Sequence, residues 1–548
     1  MTAPSIIDLF RAVALEVPAR EAIVHRSLRI SYGDLLDRVE RLAGLLTSHG
    51  LGAHRERSAL KGHESGQDHL ALHLYNGPEF AEACLAAFAA RVAPFNVNYR
   101  YTAAELRQLY TDAAPAVIVY HASFAPTLAQ VLDDLPRTPL LLQVADGSGT
   151  PLLPGALDYE QAVTTARRDR PAPASSPDDL YMIYTGGTTG MPKGTLWSQH
   201  GMWRATLGGA AHPDDVTAAQ VAAGAAAGPG ERTLGVAPFM HAAGWWKLLA
   251  ALTSGGMVAI PDVVHRFDPA DVCSLIERER LDSAALIAEA FGRPMADELE
   301  RGSYDLSCLR ALTLGGGATT PGTKRRLLAA IGGDAVLSDG AGSTEAGRVI
   351  QANLTVGGEA EPGVFELLPR ACVVDFTRTR FLTPADPEPG LLAAREPLPF
   401  GYLGDPVKSA ATFPTVAGRR VVIPGDVVQL RGDGRLVLHG REAMTINSGG
   451  EKIFAEEVER ALLADTAVAD VLVLGRASER WGQEVVALVR LAAEADDERL
   501  RTGAAGQIAR YKLPKAFVRV PEIRRSPAGK ADYTWARSVV AAAEGGER

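Results

Sequence analysis

The sequence predicts an α/β protein built on a largely parallel sheet, followed by a smaller α+β unit. Between residues 180 and 348 short apolar runs alternate with helical patterns, the order expected of parallel strands joined by crossover helices. After Pro424 the pattern changes to a hairpin and a compact set of short strands and helices. The chain has 548 residues, more than one hydrophobic core commonly serves, so two or more domains are expected.

The opening residues 1–20 carry Asp8, Arg11 and Glu16 inside an apolar pattern, which reads as an amphipathic helix and not a secretory leader. Apolar runs at 180–184, 233–237, 257–260, 283–287, 309–314 and 335–337 read as strands, with helical stretches such as 323–331 between them. Segment 205–231 is rich in Ala, Gly, Pro and Asp and reads as a mobile surface segment. Runs 427–430 and 436–438 flank a Gly-Asp-Gly turn at 432–434 and read as a hairpin. A helix at 455–463, strands at 468–474 and 485–489, another helix and a strand at 516–520 complete the small unit. The main boundary is placed near Gly440, dividing 1–440 from 441–548.

Composition excludes several classes. Lys plus Arg number 56 against 65 for Asp plus Glu, a net charge of -9, so there is no electrostatic footprint for nucleic acid. Cys84, Cys273, Cys308 and Cys372 are scattered with no C-x-x-C pair, which speaks against zinc and for a reduced, cytoplasmic setting. No apolar run reaches about 18 residues without a charge, so no membrane span is expected.

The strongest local signal is Tyr184-Thr185-Gly186-Gly187-Thr188-Thr189-Gly190-Met191-Pro192-Lys193-Gly194, directly after an apolar strand. Its glycines let the backbone approach a ligand closely. Exposed N–H groups and threonine hydroxyls can then bind phosphate oxygens, and Lys193 adds a positive charge. A Walker loop is rejected because Met191-Pro192 separates Gly190 from Lys193 and Gly194 follows the lysine.

This string resembles the phosphate loop of the superfamily that contains acyl- and aryl-CoA synthetases, peptide-synthetase adenylation domains and luciferases. The resemblance extends in order over nearly the whole chain. It implies a large N-terminal domain of αβαβα layers and a small α+β C-terminal domain joined by a hinge. It also implies ATP and Mg²⁺ as cofactors and coenzyme A as the acyl acceptor. Pro238-Phe239-Met240-His241 resembles the segment whose aromatic or histidine residue lines the acyl pocket. Gly315, Gly316 and Gly317 resemble the glycine turn beside adenine. Ser338–Glu345 ends in the family's Thr-Glu pair, with Asp339 near the adenine edge, Thr344 beside the α-phosphate and Glu345 as the Mg²⁺ ligand. Where many members stack an aromatic residue on adenine, this chain has Ala341. Gly425-Asp426 resembles the ribose-binding pair, and Arg441 would contact the nucleotide. The run 446–453, with Gly449, Gly450 and Lys452, resembles the loop after the hinge, where Ala443 replaces the usual Asp or Lys. Arg525–Lys530 matches the terminal motif whose lysine bridges substrate carboxylate and α-phosphate.

Such enzymes activate a carboxylic acid as its adenylate and pass the acyl group to a thiol. Two anions must meet, so the cations Mg²⁺, Lys193 and Lys530 provide positioning and charge stabilisation. Segments 74–77, 92–101, 289–294 and 446–459 resemble long-chain and steroid-side-chain acyl-CoA synthetases, implying an apolar acyl pocket for a medium-to-long or polycyclic acid. The basic stretch 510–530 could help hold the anionic thiol donor. Transfer to a carrier-protein pantetheine and a non-catalytic nucleotide- or acyl-binding role remain open, and a homo-oligomer is compatible with the sequence.

Overall fold

A computed structural model describes residues 3–167, 173–187, 190–317, 319–358, 361–448, 451–478, 482–525 and 531–545. Strand alternation sorts the side chains into layers. In Met257–Ile260, Met257 and Ala259 join one core cluster while Val258 and Ile260 join another. In His69–His73, Leu70 and Leu72 join that second cluster and Ala71 joins a third. Successive side chains of a strand point to opposite faces, so both sheets are covered on both sides, as parallel sheets require.

The shared cluster contains residues of the helices Ile6–Glu16, Tyr32–Ser48, Pro78–Ala89 and Ala242–Thr253. These form the middle layer. Pro269–Glu279, Ala288–Arg301 and Pro321–Ile331 cover the outer face of one sheet. Ala103–Ala113 and Ala125–Ala129 cover the outer face of the other. The large part of the chain is therefore layered αβαβα.

In the first sheet Val336–Ser343, Ala311–Gly315, Ser283–Ile287, Arg232–Leu234, Met257–Ile260 and Glu21–His25 run parallel in that spatial order. Gly347–Thr355 pairs antiparallel with Val336–Ser343 and leads into further antiparallel strands. In the second sheet Leu180–Gly187, Ala93–Asn96, His69–His73, Val117–His121 and Leu140–Val144 are parallel neighbours. Ligands of such sheets gather beyond the carboxyl ends of the strands.

One expectation fails within 205–231. Ala218–Ala226 is a helix whose Val221, Ala222 and Ala225 are buried in the middle-layer core, in contact with Ile6–Glu16. Thr217 and Gln220 form a capping box, which satisfies two backbone donors reciprocally. The small residues that suggested a mobile segment instead permit close packing of two helices.

Beyond Arg441 a five-stranded sheet is built from Thr445–Ser448, Glu451–Phe454, Val468–Ser478, Gly482–Leu491 and Ala516–Arg519. The helices Ala455–Leu463, Asp497–Ala505 and Tyr533–Gly545 accompany it. The expected hairpin, Asp426–Leu430 with Leu436–Arg441, belongs to the large sheet, and the turn Glu442–Met444 links it to the small one. Among the described residues no helix is long and apolar enough to cross a membrane.

Candidate active site

The carboxyl ends of the strands Ser283–Ile287, Ala311–Gly315 and Val336–Ser343 open onto a cleft of about 2320 Å³. Gly315, Gly316 and Gly317 form part of its floor. Gly316 has φ of 86°, a left-handed conformation open to glycine at little cost. A Cβ at Gly315 would meet only the Gly340 carbonyl, at 3.8 Å, so the backbone leaves an open cradle there. Asp339, Thr344 and Glu345 line the same cleft. Asp339 is ion-paired with Lys324 of the helix Pro321–Ile331. The Tyr402 hydroxyl donates to Glu345 Oε1 at 2.8 Å, and burial with the adjacent Glu345 carboxylate raises the Tyr402 pKa.

Asp426 and Arg441 also line the cleft. They face each other across the hairpin and form an ion pair, with Arg441 Nε 3.2 Å from Asp426 Oδ1. Gly440 has φ of 145°, and a Cβ there would lie 2.1 Å from Glu456 Oε2. The chain thus passes closely under the helix Ala455–Leu463. The opposite wall belongs to the small unit and includes Glu456, Glu459, Arg460, Arg525 and Tyr533. Desolvation, with the charge of Glu456 beside it, pushes Glu459 up to about 8.

Both flanks of the glycine- and threonine-rich string are strands. Leu180–Gly187 pairs antiparallel with Gly190–Ser198, setting Thr185 opposite Lys193 and Gly187 opposite Gly190. Thr185, Gly186, Gly187 and Gly190 are described at the backbone only, and Thr188 and Thr189 lie outside the described residues. Lys193 Nζ is 3.2 Å from Asp405 Oδ2. This lysine stands beside the cleft, not among its lining residues. Gly449, Gly450 and Lys530 lie outside the described residues, and Lys452 is described at the backbone only, opposite Asn447. Arg525 and Ala531 form a bridge, and both line the cleft; Lys530 immediately precedes Ala531 in sequence. Within 510–530, Lys512 pairs with Glu457, Arg519 with Asp497 and Arg525 with Asp470, so much of that basic charge is already engaged.

His241 lines the cleft at the start of the helix Ala242–Thr253. Two buried asparagines hold its loop. Asn76 Nδ2 donates to the carbonyls of Gly235 and Ala237 at 2.9 and 3.0 Å, and Asn76 Oδ1 accepts from Phe239 N at 2.7 Å. Asn96 Nδ2 donates to the carbonyls of Tyr184 and Met240 at 2.9 and 2.6 Å, and its Oδ1 accepts from Tyr184 N at 2.8 Å. Asn96 therefore joins the strand that enters the glycine-rich string to the His241 loop. Neither asparagine was singled out by the sequence reading, nor were Tyr402, Lys324 and Arg348. The partners of Asn76, Asn96 and Tyr402 are backbone groups or a side chain far along the chain, and Lys324 and Arg348 turn towards neighbours in no recognisable motif. The only advance signal is that Asn76 and Asn96 fall in the segments 74–77 and 92–101.

The donor set suits a nucleotide carrying its own metal. Among the described residues no three His, Cys, Asp or Glu side chains gather as a metal cage. Glu345 offers one carboxylate, which is adequate for Mg²⁺ because that ion takes one or two carboxylates along with phosphate oxygens and water.

The AMP-binding enzyme family matches residues 10–397, and the AMP-binding enzyme C-terminal domain matches 457–530. The chain is 45% identical to the medium-chain acyl-CoA ligase Mig of Mycobacterium avium, over 98% of each chain. It is 33% identical to a 3-oxocholest-4-en-26-oate--CoA ligase of Rhodococcus rhodochrous, over 97% of this chain and 95% of that one. Among solved structures it resembles the anthranilate CoA ligase AuaEII in complex with anthranoyl-AMP (TM-score 0.81, 19% identity, 99% of both chains). It also resembles the Mycobacterium tuberculosis fatty acyl CoA synthetase (TM-score 0.71, 23% identity, 98% of this chain and 99% of that one). The five-layered large domain, the small domain across the cleft and the two family matches agree: the chain belongs to the AMP-binding enzyme family.

Proposed function

We propose that the protein is an ATP-dependent acyl-CoA ligase. A carboxylic acid and ATP give acyl-AMP and pyrophosphate, and coenzyme A then gives the acyl-CoA and AMP. The observation that carries this reading is that Asp339, Thr344, Glu345, Asp426 and Arg441 line one cleft whose far wall is the small domain. The curated relatives carry ligase names of this kind.

In this reading the backbone and hydroxyls of Thr185–Gly190, with Lys193, hold the polyphosphate. Gly315–Gly317 and Asp339 hold the base, and Asp426 and Arg441 the ribose. Thr344 contacts the α-phosphate, and Lys530 draws the acid carboxylate towards it. Glu345, oriented by Tyr402, holds Mg²⁺, which when bound neutralises phosphate charge. His241 borders the acyl pocket. Gly449, Gly450 and Lys452 belong to the loop that the small domain presents to the thiol. In this reading the domains divide near 440/441; supporting it, the last strand of the large sheet ends at Arg441 and the small sheet begins at Thr445. The acid is a medium- to long-chain or polycyclic one. Supporting this are the relatives' names and the small side chains of Ala242, Ala243 and Ala250, which leave room along the helix side of the cleft. A cytoplasmic location accompanies the reading.

The test is AMP release across a panel of carboxylic acids, with and without coenzyme A, beside Lys530→Ala. Acid- and CoA-dependent AMP with acyl-CoA as product is expected. The lysine variant should lose roughly a hundredfold or more of the activity, the scale of removing one group that stabilises transition-state charge. AMP release driven by a carrier protein and not by coenzyme A would redirect the acceptor. No AMP with any acid would remove the catalytic reading.

A further inference from the structure

On the strands Ala311–Gly315 and Val336–Ser343 the face turned to the interlayer space carries small side chains, and one long side chain from the next strand crosses it. Strand alternation shows which face this is. Leu337 packs in the outer core and Asp339 pairs with Lys324 of the outer helix Pro321–Ile331, so Ser338 and Gly340 point the other way, into the interlayer space. Thr313 and Gly315 of the neighbouring strand line the cleft beside them. Across this surface runs Arg348. It starts opposite Gly342, and its Nη2 donates to Ser338 Oγ. A Cβ at Gly340 would lie 2.5 Å from Arg348 Nε. The guanidinium therefore lies flat over the one residue type that leaves room for it.

This cation is under-satisfied. Among the described residues Arg348 forms no ion pair, and Nε, buried from solvent, meets no acceptor. The carboxylate whose charge acts on it, Asp339, is engaged by Lys324. Desolvation lowers the Arg348 pKa, with Asp339 acting in the opposite sense. A partly buried charge with no opposite charge bound to it is costly; Nε is closed off against the strand, and Nη1, which is not, is the donor open to a ligand's oxygen. The guanidinium is also far from the reacting end. Gly340 precedes Thr344 by four residues, ~13 Å of strand at ~3.3 Å per residue, and the side chain runs further away, towards Ser338.

We propose that Arg348 is a specificity residue that hydrogen-bonds an oxygen substituent carried on the acyl chain away from its reacting carboxyl. The preferred substrate is then an oxygen-bearing acid, with an oxo, hydroxyl or second carboxyl group, and not a plain alkanoic acid. The proposal rests on the ligase reading above. A site built to hydrogen-bond a substrate oxygen discriminates strongly against the analogue that lacks it.

The experiment compares kcat/KM for AMP release with octanoate, 7-oxo-octanoate, 8-hydroxyoctanoate and octanedioate, in the wild type and in Arg348→Met and Arg348→Gln. The wild type should favour at least one oxygenated acid over octanoate by about tenfold or more. Arg348→Met should collapse that ratio towards one, and Arg348→Gln, which keeps a donor, should restore part of it. A preference for octanedioate alone identifies an anionic partner, and a preference shared with the oxo or hydroxy acid a neutral one. The proposal is overturned if the wild type turns over octanoate as well as or better than every oxygenated acid. It is equally overturned if Arg348→Met lowers all four acids in proportion, as a merely structural tie between two strands would. Absence of AMP release with all four acids and with the wider panel would instead remove the ligase reading, and this inference with it.

Discussion

Replacing Tyr402 by phenylalanine removes the hydroxyl that donates to Glu345 Oε1 and keeps the ring in its place beside Phe413. Groups that orient a metal-binding carboxylate commonly contribute ten- to a hundredfold in metal affinity. The expected outcome for Tyr402→Phe is a rise of about that size in the Mg²⁺ concentration for half-maximal AMP release. An unchanged Mg²⁺ requirement would show that Glu345 needs no such partner. Tyr402 also marks a boundary of what sequence reading reaches. Glu345 could be recognised from the short segment around it. Its partner lies 57 residues further on, in a stretch with no distinctive pattern, and only folding brings the two together. Lys324 on Asp339 and Arg348 over Gly340 are closer along the chain, and what sequence reading lacks there is the direction in which each side chain turns. Asp426 and Arg441 could be placed together from their order and spacing along the chain, and the structure brings both to one cleft.

At the scale of elements, the loop before the helix Ala242–Thr253 is held mainly from outside itself. Asn76 meets three of its backbone groups and Asn96 one, with two more on Tyr184. Truncation leaves buried backbone groups without partners, at about 1–3 kcal/mol for each group so exposed. Asn76→Ala should lower the denaturant midpoint by a shift in that energy range. It should also raise KM for the acid more than KM for ATP, because His241 sits on the freed loop. Equal changes in both constants would place the damage elsewhere. Strands at 257–260 and 283–287 and the helix at 455–463 were readable from apolar periodicity, whereas the helix Ala218–Ala226 was not. Its alanines and its one glycine look like a linker in isolation, and only the contact with Ile6–Glu16 makes Val221, Ala222 and Ala225 core.

The whole molecule is two bodies sharing one cleft, and a few contacts tie them in this arrangement. Arg293 of the helix Ala288–Arg301 pairs with Glu289 in the large domain and donates from Nη2 to the carbonyl of Ala469 in the small one, at 2.7 Å. If the first half-reaction uses this arrangement and the second a rotated one, Arg293→Met should slow acid-dependent pyrophosphate exchange by a few fold, the ~1 kcal/mol scale of one hydrogen bond. Thiolysis of preformed acyl-AMP should be unaffected. Equal slowing of both steps would show that the contact persists throughout the cycle.

The two asparagines grip main-chain atoms only. Those hydrogen bonds ask for a carbonyl at 235, 237 and 240 and an N–H at 239, which the backbone supplies whatever the side chain, proline at 239 excepted; packing still holds glycine at 235, where a Cβ would lie 2.8 Å from Val258 Cγ1, and buried side chains at 239 and 240. The cleft-lining side chains that follow, at 241, 242 and 243, can therefore change for a new acid while the frame that fixes their backbone stays as it is.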